Sequence, residues 1–294
     1  MKDSAFLATH GVKVNEPLAP YTKIRTGGNV DFFAEARNRK TLTALLSAAR
    51  ENGLPVTVIG CGSRIICSDH GYRGLVIRYS ADGFLLSEGE VEVDAGFPVH
   101  ALIGRLAEEE RGGLEAFAGY PGSLGGAIAE GATRGTIRLA DMASKIMLVS
   151  GGRRVGIDPG DLRYGVRGAA RLNGGQEWVQ GVRLRLVRRE PEEIRRRVVE
   201  ATRDRLRYEP AGKPFAFVFR DPPRQRAADL LAKAGMGGEP EGGALVSAKN
   251  PNAIINDDGA TAQDVYRLAQ RMNARVQRQT GAKLLDSLVW LGER

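Results

Sequence analysis

Two glycine-rich turns carry the clearest chemical signal in this sequence: Gly60-Cys61-Gly62-Ser63 and Gly119-Tyr120-Pro121-Gly122-Ser123-Leu124-Gly125-Gly126. Glycine lets a main chain approach a ligand closely and adopt positive φ. Successive uncovered N–H groups in such turns form a nest for phosphate oxygens. The first turn follows the apolar run Val56-Thr57-Val58-Ile59, the pattern of a buried strand ending in a tight turn. Two nests in one chain point to a ligand with a pyrophosphate, such as a dinucleotide. A Rossmann site would need a third glycine opening a helix. Here Gly62 is followed by Ser63-Arg64-Ile65-Ile66-Cys67-Ser68, which lacks that glycine and reads as a strand. The Lys-Ser/Thr of a P-loop is also absent.

The elements that must position these turns are legible from periodicity. Residues 38–53 read as a helix, with Leu42, Leu45, Leu46 and Ala49 at helical spacing and Gly53 as its stop. Strands follow at 56–59 and 75–79, completing a first α+β subdomain. A second subdomain holds a strand near 91–95, a helix over 99–111, the second glycine turn, and strands at 145–150, 153–157 and 178–187. The run 191–207 is a charged helix with Glu192/Arg196 and Glu193/Arg197 as i,i+4 pairs. Beyond it come a strand at 215–219, a helix over 225–234 and a short strand at 253–256. The capping-box signal Thr261-Ala262-Gln263-Asp264 opens a long helix ended by Gly281, and a last strand covers 284–291.

The chain has 294 residues, enough for two or three domains, and a net charge of +8 that suits an anionic partner. No arginine-rich tail or aromatic–basic alternation marks a nucleic-acid binder. The two cysteines, Cys61 and Cys67, and three scattered histidines form no metal-ligand pattern, so no metal is expected. Both thiols read as small buried residues beside a turn. No apolar run is long enough for a membrane span and the start lacks a signal-peptide core, which fits a cytoplasmic protein. The oligomeric state is left open.

The order of motifs resembles the UDP-N-acetylenolpyruvoylglucosamine reductase (MurB) family. The resemblance rests on Tyr21-Thr22-Lys23-Ile24-Arg25-Thr26-Gly27-Gly28, the first glycine turn, Ser68-Asp69, Gly74-Leu75-Val76-Ile77 and Ala118 through Ala127. It continues through Asp161–Arg167, Val218-Phe219, Val246-Ser247, Asn252, Ile254–Asn256 and Gly259–Val265, and spans about 15–292. It implies an α+β fold: an FAD-binding, PCMH-type domain over 1–190 (subdomains about 15–79 and 80–190) and a MurB-like substrate domain over 191–294. It also implies FAD as cofactor, with Gly60, Gly62, Ser63 and Arg64 on one side of the pyrophosphate. Tyr120, Pro121, Gly122, Ser123, Gly125 and Gly126 would lie on the other. NADPH would be the reductant and a UDP-sugar the substrate, held by Arg167, Arg220, Ser247 and Asn252.

The sequence departs from the family at the reacting centre. The family's Tyr-Arg motif reads Val166-Arg167, and the serine two positions on is Ala169. Gly-Ser-Val-Phe reads Ala216-Phe217-Val218-Phe219, so the proton-donating serine is Phe217. The glutamate of the terminal motif is Ser287. Arg64 and Asp221 stand where asparagine is common, and Asn250 where histidine is. Arg167 is the catalytic candidate that remains. The resemblance therefore implies a flavoprotein tied to peptidoglycan precursor synthesis without the usual reductase chemistry. The alternatives are a working reductase with substitute groups, such as Ser287 or Asp286, and a flavin-free interaction or structural protein.

Overall fold

The computed structural model describes residues 11–87, 89–165, 168–172 and 174–293. Strands β1 (Lys13–Pro17) and β2 (Asn29–Ala36) lead to helix α1 (Arg39–Glu51), then to β3 (Val56–Ile59), β4 (Ile65–Cys67) and β5 (Tyr72–Tyr79). Strands β6 (Phe84–Ser87) and β7 (Glu90–Asp94) precede helix α2 (Val99–Glu108), and the short helix α3 (Leu124–Glu130) leaves the second glycine turn. Strands β8 (Ala143–Ser150), β9 (Arg153–Ile157) and β10 (Glu177–Arg185) come next, then helix α4 (Pro191–Leu206). The remaining main elements are β11 (Phe215–Phe217), β12 (Phe219–Arg220), α5 (Ala227–Lys233), β13 (Pro240–Glu241), β14 (Ala244–Val246), β15 (Ala253–Asn256), α6 (Ala262–Thr280), β16 (Leu285–Asp286) and β17 (Val289–Leu291).

These elements form two compact units. The first gathers Phe32–Cys61 and Gly74–Arg205 with the N-terminal stretch up to Val14. Its five-stranded antiparallel sheet runs β9-β8-β10-β7-β6, and β3 pairs in parallel with β5 in a second sheet. Helix α1 starts at Asn38, whose side chain accepts from the Thr41 N–H, and buries Leu42, Leu45, Leu46 and Ala49. Helix α2 buries Val99, Leu102, Ile103 and Leu106 in the same core.

The second unit joins Asn15–Asp31 and Gly62–Arg73 to Leu206–Arg294. Contacts therefore group the chain in interleaved stretches rather than across a single cut near residue 190. Its sheet runs β11-β15-β14-β13. Helix α6 packs Val265, Leu268, Met272 and Val276 into a core that also takes Ile24 and Ile66 from the early stretches. Thr261 and Asp264 form the capping box read from the sequence. Asp69 adds a second cap, its carboxylate accepting from the N–H groups of Ala262 and Gln263, each at 2.9 Å. Strand β4 also lies parallel to β17, with Ile65 opposite Val289.

Two expected strands are broken. Residues 215–219 divide at Val218, and 284–291 divide at Ser287-Leu288. At both breaks the main chain changes partner: Val218 N–H goes to Asn252 O, and Val289 N–H to Arg64 O. On α4 the Glu193–Arg197 pair forms at 2.7 Å, but Glu192 pairs with Arg195 rather than Arg196. Cys67 is buried and its thiol is pushed up to about 11 chiefly by that burial. Cys61 is only partly buried. Among the described residues no helix is long and apolar enough to cross a membrane.

On the first unit's sheet, Glu92 is held by Arg39, by Arg154 at 2.8 Å and by Arg183 at 3.2 Å, while Arg39 also grips Asp94. Burial alone would raise the Glu92 pKa, but these guanidinium hydrogen bonds outweigh it and hold it at about 2. A carboxyl depressed in the folded state stabilises the fold above its unfolded pKa, and loses that contribution as pH falls through the folded value. The window runs from the ordinary value of 4.5 down to about 2. Across it, the urea midpoint of the wild type should fall more steeply than that of Glu92→Gln. Equal slopes would remove Glu92 from the account of acid sensitivity.

Candidate functional site: two glycine turns and a buried serine

In the first unit the two glycine turns meet. Gly60 ends β3 directly against Ser123, and a Cβ built on Gly60 would lie 2.7 Å from the Ser123 Cβ and collide with its Oγ. Gly122 lies over the Tyr120 ring, where an added Cβ would come within 2.6 Å of Cε1. The second turn is stitched to the approach to α2: Val99 N–H donates to Gly122 O at 3.0 Å, and Leu124 N–H to Phe97 O at 2.8 Å. Gly125 N–H donates to Ala95 O at 2.7 Å. Ser123 caps α3, its Oγ accepting from Gly126 N–H at 3.3 Å.

This geometry divides the expected phosphate holders. The amides of Gly125 and Gly126 are spent on protein acceptors. Those of Gly122 and Ser123 have no protein acceptor among the described residues. They are neutral donors beside a stretch where side chains are excluded, which suits phosphate oxygens. Tyr120 is only 6% exposed, and its hydroxyl donates to Glu130 instead of facing outward. The acceptors at Ala95 and Phe97 were not foreseen, since carbonyls that fix a turn leave no signature in side-chain type.

The rest of the first turn belongs to the second unit. Gly62 has φ +63°, and its carbonyl accepts from Lys23 N–H at 3.0 Å. A side chain on Gly62 would strike the Tyr21 carbonyl. The Tyr21–Gly28 motif thus holds the turn, a job its sequence did not disclose. Ser63 follows, and the Arg64 carbonyl accepts from Val289 N–H at 2.8 Å.

Phe217 and Ser287 come together in the same unit. Phe217 pairs with Ala253 at the end of β11 and stacks edge-on against Phe215. Ser287 is 5% exposed, and its Oγ donates to the Phe217 carbonyl at 2.9 Å. Its N–H donates to Val218 O at 2.8 Å. Arg220 sits opposite Leu285 in the β12–β16 pair.

Asn252 is engaged at both ends of its amide with the Phe219 main chain, each bond 2.9 Å. It works there as a clamp on the strand. Ser247 is buried and accepts from Asn250 N–H at 3.2 Å, while the Asn250 side chain accepts from Asn252 N–H at 3.1 Å. Asp221 accepts from Ala227 N–H at 2.8 Å at the start of α5, so its carboxylate has a structural use. Val166 and Arg167 lie outside the described residues.

Comparison with known proteins covers both parts of the chain. A family model described as an FAD binding domain matches residues 30–152, and one for the UDP-N-acetylenolpyruvoylglucosamine reductase C-terminal domain matches 209–290. The UDP-N-acetylenolpyruvoylglucosamine reductase of Geobacter metallireducens is 34% identical over 282 residues, covering 95% of this chain and 93% of that protein. The one from Moorella thermoacetica is 35% identical over 283 residues, with the same coverage. The crystal structure of MurB from Thermus caldophilus matches with a TM-score of 0.80 at 28% identity, covering 96% of this chain and 98% of that one. With motif order, glycine turns and full-length similarity in agreement, this chain belongs to the FAD-binding UDP-N-acetylenolpyruvoylglucosamine reductase (MurB) family.

Proposed function

We propose that this chain binds FAD as its family does but does not perform the family's reduction at an ordinary enzymatic rate. One observation carries the reading: Ser287 Oγ gives its hydrogen to the Phe217 carbonyl at 2.9 Å, at the place where the resemblance puts the two proton-handling groups. When bound, FAD supplies the hydride, drawn from NADPH, that adds to an enolpyruvyl double bond. The protein must then deliver a proton to the neighbouring carbon and stabilise charge on the adjacent carboxylate. Phe217 has no exchangeable proton. Ser287 has one, already donated to the Phe217 carbonyl. Asp286, the residue before it, is exposed at the end of β16, whereas Ser287 is buried. Loss of a general acid costs about 10²–10⁴ in rate.

On the cofactor side, Gly60, Gly122 and Ser123 of the first unit would hold the pyrophosphate. Arg167, retained in the sequence, would meet the substrate carboxylate, and Arg220 an anionic part of a UDP-sugar. The protein would then serve cytoplasmic peptidoglycan precursor synthesis as a binding or regulatory flavoprotein, or turn its flavin to another acceptor.

Purified protein should be yellow and release FAD, identified by absorbance and mass; colourless protein free of flavin would favour a flavin-free interaction role. NADPH oxidation that depends on the enolpyruvyl UDP-sugar should stay well below ~1 s⁻¹, the low end of common turnover numbers. Turnover at or above that value would establish a working reductase with substitute groups. The double variant Phe217→Ser/Ser287→Glu should raise the substrate-dependent rate. Gly60→Ala should weaken FAD binding at least about tenfold, read by flavin fluorescence, because the new methyl displaces Ser123.

A further inference from the structure

The second glycine turn rests on a side-chain pair that neither the motif nor the family match singles out. Tyr120 lies under Gly122, close enough that no side chain fits between them. Its ring is buried and its hydroxyl donates to the carboxylate of Glu130. Glu130 is the last residue of α3, the helix that Ser123 opens. The pair therefore ties the entry of the turn to the far end of the helix leaving it, closing a ring of eleven residues from 120 to 130.

Glu130 is itself fixed from the other side. A Cβ on Gly168 would lie 3.0 Å from Glu130 Cα, and one on Gly131 would lie 2.7 Å from the Tyr164 ring. The Tyr164 hydroxyl donates to Ile128 O at 2.8 Å, and the Arg138 guanidinium covers its ring at 4.5 Å. The end of α3 is thus a fixed post, and the Tyr120 phenol is the strut between that post and the turn. Gly168, which bears on the post, is the residue after Arg167 in the sequence.

We propose that Tyr120 and Glu130 are positioning residues for the dinucleotide: the phenol–carboxylate bond fixes the angle at which the Gly122 and Ser123 amides meet phosphate. Neither side chain touches the ligand. The Tyr120 ring sets the height of Gly122 and Glu130 sets the position of the ring. A strained or tilted amide pair loses hydrogen-bond strength steeply with angle, so freeing the phenol would lower affinity for the phosphate-bearing cofactor without removing any group that contacts it.

The test uses full-length protein stripped of flavin and titrated at a temperature well below its melting point. Tyr120→Phe removes one hydroxyl and keeps the ring. It should weaken FAD binding about tenfold while leaving the affinity for riboflavin, which has no phosphate, within about twofold of wild type. Glu130→Gln keeps an acceptor for the phenol and should bind FAD nearly as wild type does, whereas Glu130→Leu should match Tyr120→Phe. The double variant Tyr120→Phe/Glu130→Leu should be no worse than either single one, the signature of a shared interaction. FAD affinity within twofold of wild type in Tyr120→Phe, or a parallel loss of FAD and riboflavin binding, would overturn the proposal in favour of a purely structural pair. If riboflavin does not bind measurably, ADP serves as the phosphate-bearing probe, and unchanged ADP affinity in Tyr120→Phe would overturn it equally. The proposal rests on FAD binding, and failure of that premise would show in the wild type, before any variant is compared.

Discussion

Gly60 and Ser123 cannot both keep their places if anything larger than hydrogen stands on Gly60. That exclusion is the constraint from which the rest of the cofactor half follows. It brings the end of β3 against a turn more than 60 residues away in the sequence. Beside it, the Gly122 and Ser123 amides have no protein acceptor among the described residues. The stitching to Ala95 and Phe97 then decides which amides are left over. A turn whose free donors are main-chain amides carries no charge of its own, so its geometry depends on the neighbours that pack against it.

The second unit obeys a different constraint. Its central helix is capped by a carboxylate 193 residues earlier in the chain, and one of its strands pairs in parallel with a short segment just past the first glycine turn. Parallel pairing of sequence-distant segments is costly in loop-closure entropy. It is stabilised by side chains such as Ile24 and Ile66, which sit fully within the core of α6. The same unit brings Phe217 and Ser287 together through the main chain, since Ser287 bonds to the carbonyls of both Phe217 and Val218. Two residues 70 apart in the sequence are therefore direct neighbours.

Helices with polar caps and apolar stripes were legible in the sequence. Asn38 and Leu42 mark α1, and Thr261 and Asp264 mark α6, because a cap and a 3.6-residue period are local signals. The glycine turns were equally plain, and similarity to known reductases supports the cofactor they imply. Three things were not legible. Residues 215–219 and 284–291 read as unbroken strands because side-chain alternation does not register a change of main-chain partner at Val218 or Val289. Helix α3 was missed because a run with three small residues after Leu124 looks like turn rather than helix. The role of Asp69 was hidden because its partners are two amides, which have no residue type to recognise.

The interleaving of the second unit also bears on inheritance. The matched C-terminal stretch, 209–290, looks like a cassette that recombination could exchange between relatives. Its core, however, takes Ile24 and Ile66 from outside the cassette, its helix cap takes Asp69, and its last strand takes β4 as neighbour. A transplanted cassette would arrive with an apolar face unpaired and a helix end uncapped unless the recipient's own 15–31 and 62–73 equivalents happened to fit. The 62–73 stretch also begins inside the first glycine turn, so drift there to suit a new cassette would disturb that turn. For this chain, exchange of the C-terminal cassette would work only if the 15–31 and 62–73 stretches travelled with it.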